Sequence, residues 1–264
     1  MTTFAHPAPA GAAGPSTAQA RSAAIPFSRL VGAELSKASD SRAARWLLAI
    51  TAIATFGLVL APMLAPASID QTYTSYLDFT LAPIVTLLPV ISILTLTSEW
   101  SQRTALSTFT LEPRRVRVLA AKVWVSVLGA GAATVFCALA TVAAVGLATA
   151  TGRTVEVDLN AGVVLGHALF LLLTVFMGLA LGALVHNSAA AIVLSFVLPT
   201  AVAALGLASR LTAEWIDIAT VYDQWVRSGE WAGHTVQIVF ATVIWVAAPL
   251  AAGILRTMRR DVTF

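Results

Sequence analysis

Six long apolar runs, a low charge content and basic clusters confined to one set of connections predict an all-α membrane protein. Of 264 residues, 58% are hydrophobic and 11% are charged, against roughly a quarter charged in an ordinary soluble domain. The predicted architecture is six transmembrane helices with both N and C termini cytoplasmic. An interfacial amphipathic helix precedes the first span.

The chain opens on residues 1–25, dominated by Ala, Pro, Gly, Ser and Thr. Such a stretch cannot bury enough apolar surface to offset its ordering entropy, so it reads as a disordered cytoplasmic tail. It has no charged start followed by an apolar core, which excludes a signal peptide. In residues 26–45, Phe27, Leu30, Val31 and Leu35 recur at helical spacing, and Arg29, Lys37, Arg42 and Arg45 occupy other positions. That pattern predicts a basic amphipathic helix on the membrane surface, or a charged flank of the first span.

The apolar runs cover residues 46–65, 79–98, 123–150, 161–185, 189–208 and 235–255. Each is long enough to cross about 30 Å of hydrocarbon at 1.5 Å per residue. The third is too long for the core and should tilt, or project from the membrane as a continuation of the basic loop before it. Pro62, Pro83, Pro89, Pro199 and Pro249 fall in or beside spans, where each removes a backbone donor and should kink its helix. Gly178 and Gly182 form a GxxxG pair that permits close contact with a neighbouring helix.

Lysine and arginine set the orientation. With both termini inside, the cytoplasmic side receives five in the N-terminal segment, five in residues 97–122 and three at the C-terminus. Only Arg153, Arg210 and Arg227 remain outside. In the outer loop 209–234, Trp215, Ile218, Tyr222 and Trp225 recur every three or four residues, so this segment reads as an amphipathic helix at the outer interface. Trp215, Tyr222 and Trp225 are its expected interfacial anchors.

The same composition excludes several kinds of chemistry. The lysines, Lys37 and Lys122, lie outside any glycine-rich phosphate-binding turn, so the chain is not expected to be an enzyme or to hydrolyse ATP alone. No spacing of Cys and His marks a metal site, and Cys137 reads as a small core residue. The basic residues flank apolar runs, which speaks for orientation and against nucleic acid. The six runs as bounded above contain no Asp or Glu, which argues against an ion-coupled carrier. His167 is the imidazole well inside and reads as a hydrogen-bonded packing residue.

The remaining feature is the loop 99–122. Glu99 and Arg103 stand at i and i+4 at the end of the second run. Thr104 and Thr108 lie in the short polar stretch that follows, and Glu112 and Pro113 open a new helix, where proline's missing donor costs nothing. Arg114, Arg115, Arg117 and Lys122 then border the third run. A glutamate ending the second span, a threonine-rich turn, a Pro-Arg-Arg element and an Ala-Lys (Ala121, Lys122) resemble the intracellular coupling loop of bacterial ABC-2-type transporter permeases. The resemblance extends over residues 26–264. It implies a permease domain in the plasma membrane that pairs with a second permease subunit, in a homo- or heterodimer, within the lipid bilayer. It also implies docking on cytoplasmic ABC ATPase subunits that carry the ATP and Mg, with no cofactor on this chain. The implied activity is ATP-driven export of an unidentified substrate, or lateral movement of lipid-like molecules, and the apolar lining of the spans suits an amphipathic cargo. The residues alone also allow a non-transporting membrane anchor or regulatory subunit for a cytoplasmic partner and, less readily, an ion-coupled secondary carrier.

Overall fold

The computed structural model describes residues 25–101 and 114–259, without the side chains of 99–101, 115 and 259. Among these residues there is no strand, only an isolated bridge between Thr72 and Glu156. Six helical segments are long and apolar enough to cross a membrane: Arg42–Leu64, Tyr73–Ser98, Val116–Ala150, Ala161–Val185, Ser188–Gly206 and Thr235–Met258. The chain is an all-α, multi-pass membrane protein.

The second and fourth spans form the centre of the bundle. Their most apolar windows are 56% and 67% buried, against 11% for the fifth span and 22% for the first and sixth. Small residues bring these central helices together. A Cβ on Gly178 would lie 2.5 Å from the Pro89 carbonyl oxygen, and one on Gly182 would lie 3.4 Å from Ile93 Cα. The glycine pair is therefore the contact seam between the fourth and second spans, at a closeness no larger residue permits at Gly178. Gly253 repeats the device, since a Cβ there would lie 2.5 Å from the Ala183 backbone, bringing the sixth span onto the fourth.

The prolines are accommodated in three ways. Pro83, Pro89 and Pro199 remain inside continuous helices. The first helix stops at Leu58 and restarts as Ala61–Leu64, with Pro62 at the start of that short helix. In the sixth span a π-helical turn, Val243–Ala247, precedes Pro249, as expected where a ladder must absorb a missing donor. The third helix runs unbroken from Arg115 to Ala150, 36 residues or about 54 Å, far more than the hydrocarbon needs. Its extra length lies at the end where residues 102–113 connect it to the second span, hereafter the loop end.

An N-terminal helix, Phe27–Asp40, docks on that extra length. Its apolar stripe is divided, with Leu30 buried against Val118 and Ala121 while Phe27 and Leu35 stay exposed. At the far end, Tyr73 N donates to Glu156 O at 2.8 Å and Glu156 N to Gln71 O at 2.9 Å. These bonds tie the connection before the second span to the connection after the third.

Candidate functional site

Two polar constellations interrupt the apolar bundle, one at each end. At the loop end, Glu34 of the N-terminal helix pairs with Lys122 of the third span at 2.6 Å, each side chain 1% exposed. Lys122 Nζ also donates to the Thr95 carbonyl of the second span at 3.1 Å, and Lys37 pairs with the other Glu34 oxygen at 2.6 Å. Burial would raise the Glu34 carboxyl, but Lys122 and Lys37 beside it outweigh burial and hold it below its ordinary value. Arg117 Nη2 donates to the Ile25 carbonyl at 2.6 Å. The N-terminal helix is thus fastened to the third span at two points, on either side of its Leu30 contact.

The structure places Lys122 within the third span, as a buried link joining the N-terminal helix and the second and third spans. Arg117 is half-buried for a similar reason. Arg114 is exposed at the cap of the third helix, and Arg115 is that helix's first residue. Glu99 lies on the helical backbone of Tyr73–Ser101, but its side chain is outside the described residues. Arg103, Thr104, Thr108, Glu112 and Pro113 lie outside them altogether. Glu34 is a member of this constellation that the sequence reading misses, although a signal exists. It stands four residues after Leu30, on the apolar face of an amphipathic helix, where a carboxylate needs a buried partner.

At the far end, the second span begins at Tyr73 rather than at residue 79, so it contains Asp78. The spans are therefore not free of acids. Asp78 Oδ1 lies 3.2 Å from His167 Nε2 and 3.3 Å from Arg227 Nη2, and Arg227 Nη1 pairs with Asp223 at 2.6 Å. His167 is buried, as a packing residue should be, and its Nδ1 lies 2.8 Å from the Val163 carbonyl. A carbonyl can only accept, so Nδ1 carries a hydrogen. Arg227 also lies over the Phe170 ring, 5.7 Å from its centroid.

Asp223 and Arg227 belong to the connection between the fifth and sixth spans, whose position differs from the expectation. A short helix, Arg210–Trp215, leads into a π-helical segment, Ala219–Val226, that is drawn into the bundle and does not lie on its surface. Tyr222 and Trp225, expected as interfacial anchors, are buried. The Tyr222 hydroxyl donates to Thr242 Oγ1 at 3.0 Å, and Trp225 stacks on His234 at 3.9 Å. Burial pushes the Tyr222 phenol up to about 12. Trp215 is half-buried, edge-on to Phe240 at 5.6 Å. The cause is small residues on the fourth span, since a Cβ on Gly166 would overlap the Val226 carbonyl oxygen at 2.0 Å. Aromatic periodicity is shared by interfacial and buried helices, so the sequence pattern alone does not separate them.

Beneath this segment lies a cavity of about 270 Å³ between the second, fourth and fifth spans. Phe170, Met177, Phe196 and Val85 line it together with Asp223. Among the described residues no three His, Cys, Asp or Glu side chains converge as a metal-binding group. No protein-family model matches the chain, and no curated protein matches it.

Proposed function

We propose that the chain is the permease subunit of an ATP-driven exporter of the ABC-2 type in a bacterial plasma membrane, energised by a separate cytoplasmic ATPase. The observation that carries this reading is the bracing at the loop end. Lys122 links the N-terminal helix to both spans that the 102–113 connection joins. A load applied to that connection by a bound ATPase would reach three helices as one body. The expected cargo is amphipathic, and the cavity offers it largely apolar walls with one acid, Asp223, among them.

One observation favours a second reading, an ion-coupled carrier: Asp78 lies in a span, 3.2 Å from His167 Nε2. Ionisable residues within spans occur along ion pathways. Affinity isolation of the tagged chain from its native membrane in mild detergent separates the two. The exporter reading expects a stoichiometric subunit containing a phosphate-binding loop, with ATP hydrolysis in the isolate. A chain isolated without ATPase would overturn it and leave the carrier as the better reading.

A further inference from the structure

We propose that a groove at the loop end holds one acyl chain of an anionic phospholipid, whose headgroup is met by Arg42 and Arg45. The groove is a cavity of about 380 Å³ bounded by the N-terminal helix and the first three spans. On the second span its wall runs from Ile84 to Thr95, and on the third from Val125 to Phe136. Either wall is about 16 Å long at 1.5 Å per residue. That is half of a hydrocarbon core of about 30 Å, the depth of one leaflet. The edge contact of Phe56 on Phe136, at 5.9 Å, lies at the deep end.

The walls suit an aliphatic occupant. Three of their hydroxyls are turned back onto their own helices: Thr51 donates to Leu47 O at 2.7 Å, Ser92 to Leu88 O at 3.3 Å and Thr95 to Ile91 O at 2.9 Å. At the shallow end Leu35 and Ser39 of the N-terminal helix line the groove, and Leu48 and Ala52 of the first span continue it. Arg45 precedes Leu48 and Ala52 by three and seven residues, which places it on their helix face one turn nearer the surface. Arg42 lies a further turn out. Both are exposed and form no ion pair among the described residues, and Asp40 is the one acid between Ser39 and Leu48. An apolar slot one leaflet deep with two arginines at its mouth is complementary to an anionic lipid. The lipid site stands whether or not the chain is an exporter subunit.

Full-length protein, stripped of lipid by washing in neutral detergent, is titrated with phosphatidylglycerol or with phosphatidylcholine of the same chains. Bound lipid is counted by native mass spectrometry. One phosphatidylglycerol per chain should be retained at concentrations where phosphatidylcholine is lost. Arg42→Gln with Arg45→Gln should reduce that preference by about fivefold per arginine. Gly129 lines the groove, and a Cβ there meets nothing within 4 Å, so Gly129→Phe should fill the slot and expel the lipid without lowering thermal stability. Ala52→Phe should do the same from the opposite wall. Should either Phe variant fail to fold, the exposed arginine pair still decides. Equal retention of both lipids by the wild type would overturn the proposal, as would undiminished phosphatidylglycerol binding in folded Phe variants. A changed oligomeric state in those variants, with lipid retention unchanged, would also overturn it and assign the groove to a second copy of the chain.

Discussion

Glu34 and Lys122 stand 88 residues apart in the chain and meet at 2.6 Å, both inaccessible to solvent. Removing one member of such a pair strands the other charge, so Glu34→Leu should destabilise the protein by about 3 to 5 kcal/mol. Glu34→Leu combined with Lys122→Met should cost much less, because no buried charge is left. Thermal unfolding of both variants in detergent checks this. A double variant as unstable as the single would show that the loss does not come from a stranded Lys122 charge.

Acid should weaken the same link. The Glu34 carboxyl is held below its ordinary 4.5, so its contribution is complete at neutral pH and is lost as pH falls through the lowered folded value. Asp223 has the opposite sign: burial, offset by Arg227 and reinforced by Asp78, raises its carboxyl above 3.8. Its contribution is present at low pH and is lost as pH rises through the raised value. Unfolding of Glu34→Gln and Asp223→Asn between about pH 3 and 7, beside the wild type, should show acid sensitivity reduced in the first and increased in the second.

Gly178 and Gly182 should respond unequally to one methyl group. At Gly178 the added carbon would sit 2.5 Å from the Pro89 oxygen, whereas at Gly182 its nearest neighbour is 3.3 Å away, the end of the Leu96 side chain. Gly178→Ala should destabilise by about 1 to 3 kcal/mol, and Gly182→Ala by well under about 1. Equal melting temperatures for the two variants would mean that the second and fourth spans are not in close contact.

Arg227 draws Asp78 and Asp223 together across two elements. Arg227→Gln should loosen the outer segment, and Asp78→Asn in the same chain should restore part of the loss. Because these side chains are partly open to solvent, the coupling should be about 1 kcal/mol. A double-mutant cycle read by proteolysis of the Ala219–Val226 segment measures it, and additive effects would mean that the pair does not hold the segment.

The spans are legible in the sequence because an uncharged apolar run of about twenty residues matches the length of a membrane-crossing helix and exceeds that of most buried core helices. The Gly178–Gly182 seam is legible from its spacing. The two charged constellations are not. Asp78 falls outside the second apolar run because hydropathy ends a span where polarity begins, while a helix continues as long as its backbone is bonded. Lys122 sorts by sequence with its basic neighbours, yet it lies five residues beyond Arg117, deep enough along the helix to be covered by Glu34. Tyr222 and Trp225 repeat at a spacing that suits a lipid interface or a bundle core equally. Only the closeness allowed by Gly166 places them inside.

The coupling role proposed for residues 99–122 is tested most directly by ATP hydrolysis in vesicles containing the complex isolated through this chain. The wild type is compared with Arg114→Ala and with a chain whose residues 104–110 are replaced by Gly and Ser. An exposed cation such as Arg114 contributes about 1 kcal/mol or less, so Arg114→Ala should lower the rate by no more than about fivefold. The replaced segment should lose the ATPase, or retain it with hydrolysis reduced more than about tenfold, a loss of roughly 1.4 kcal/mol or more in coupling. A replaced chain that retains the ATPase and hydrolyses at the wild-type rate would contradict coupling through this loop.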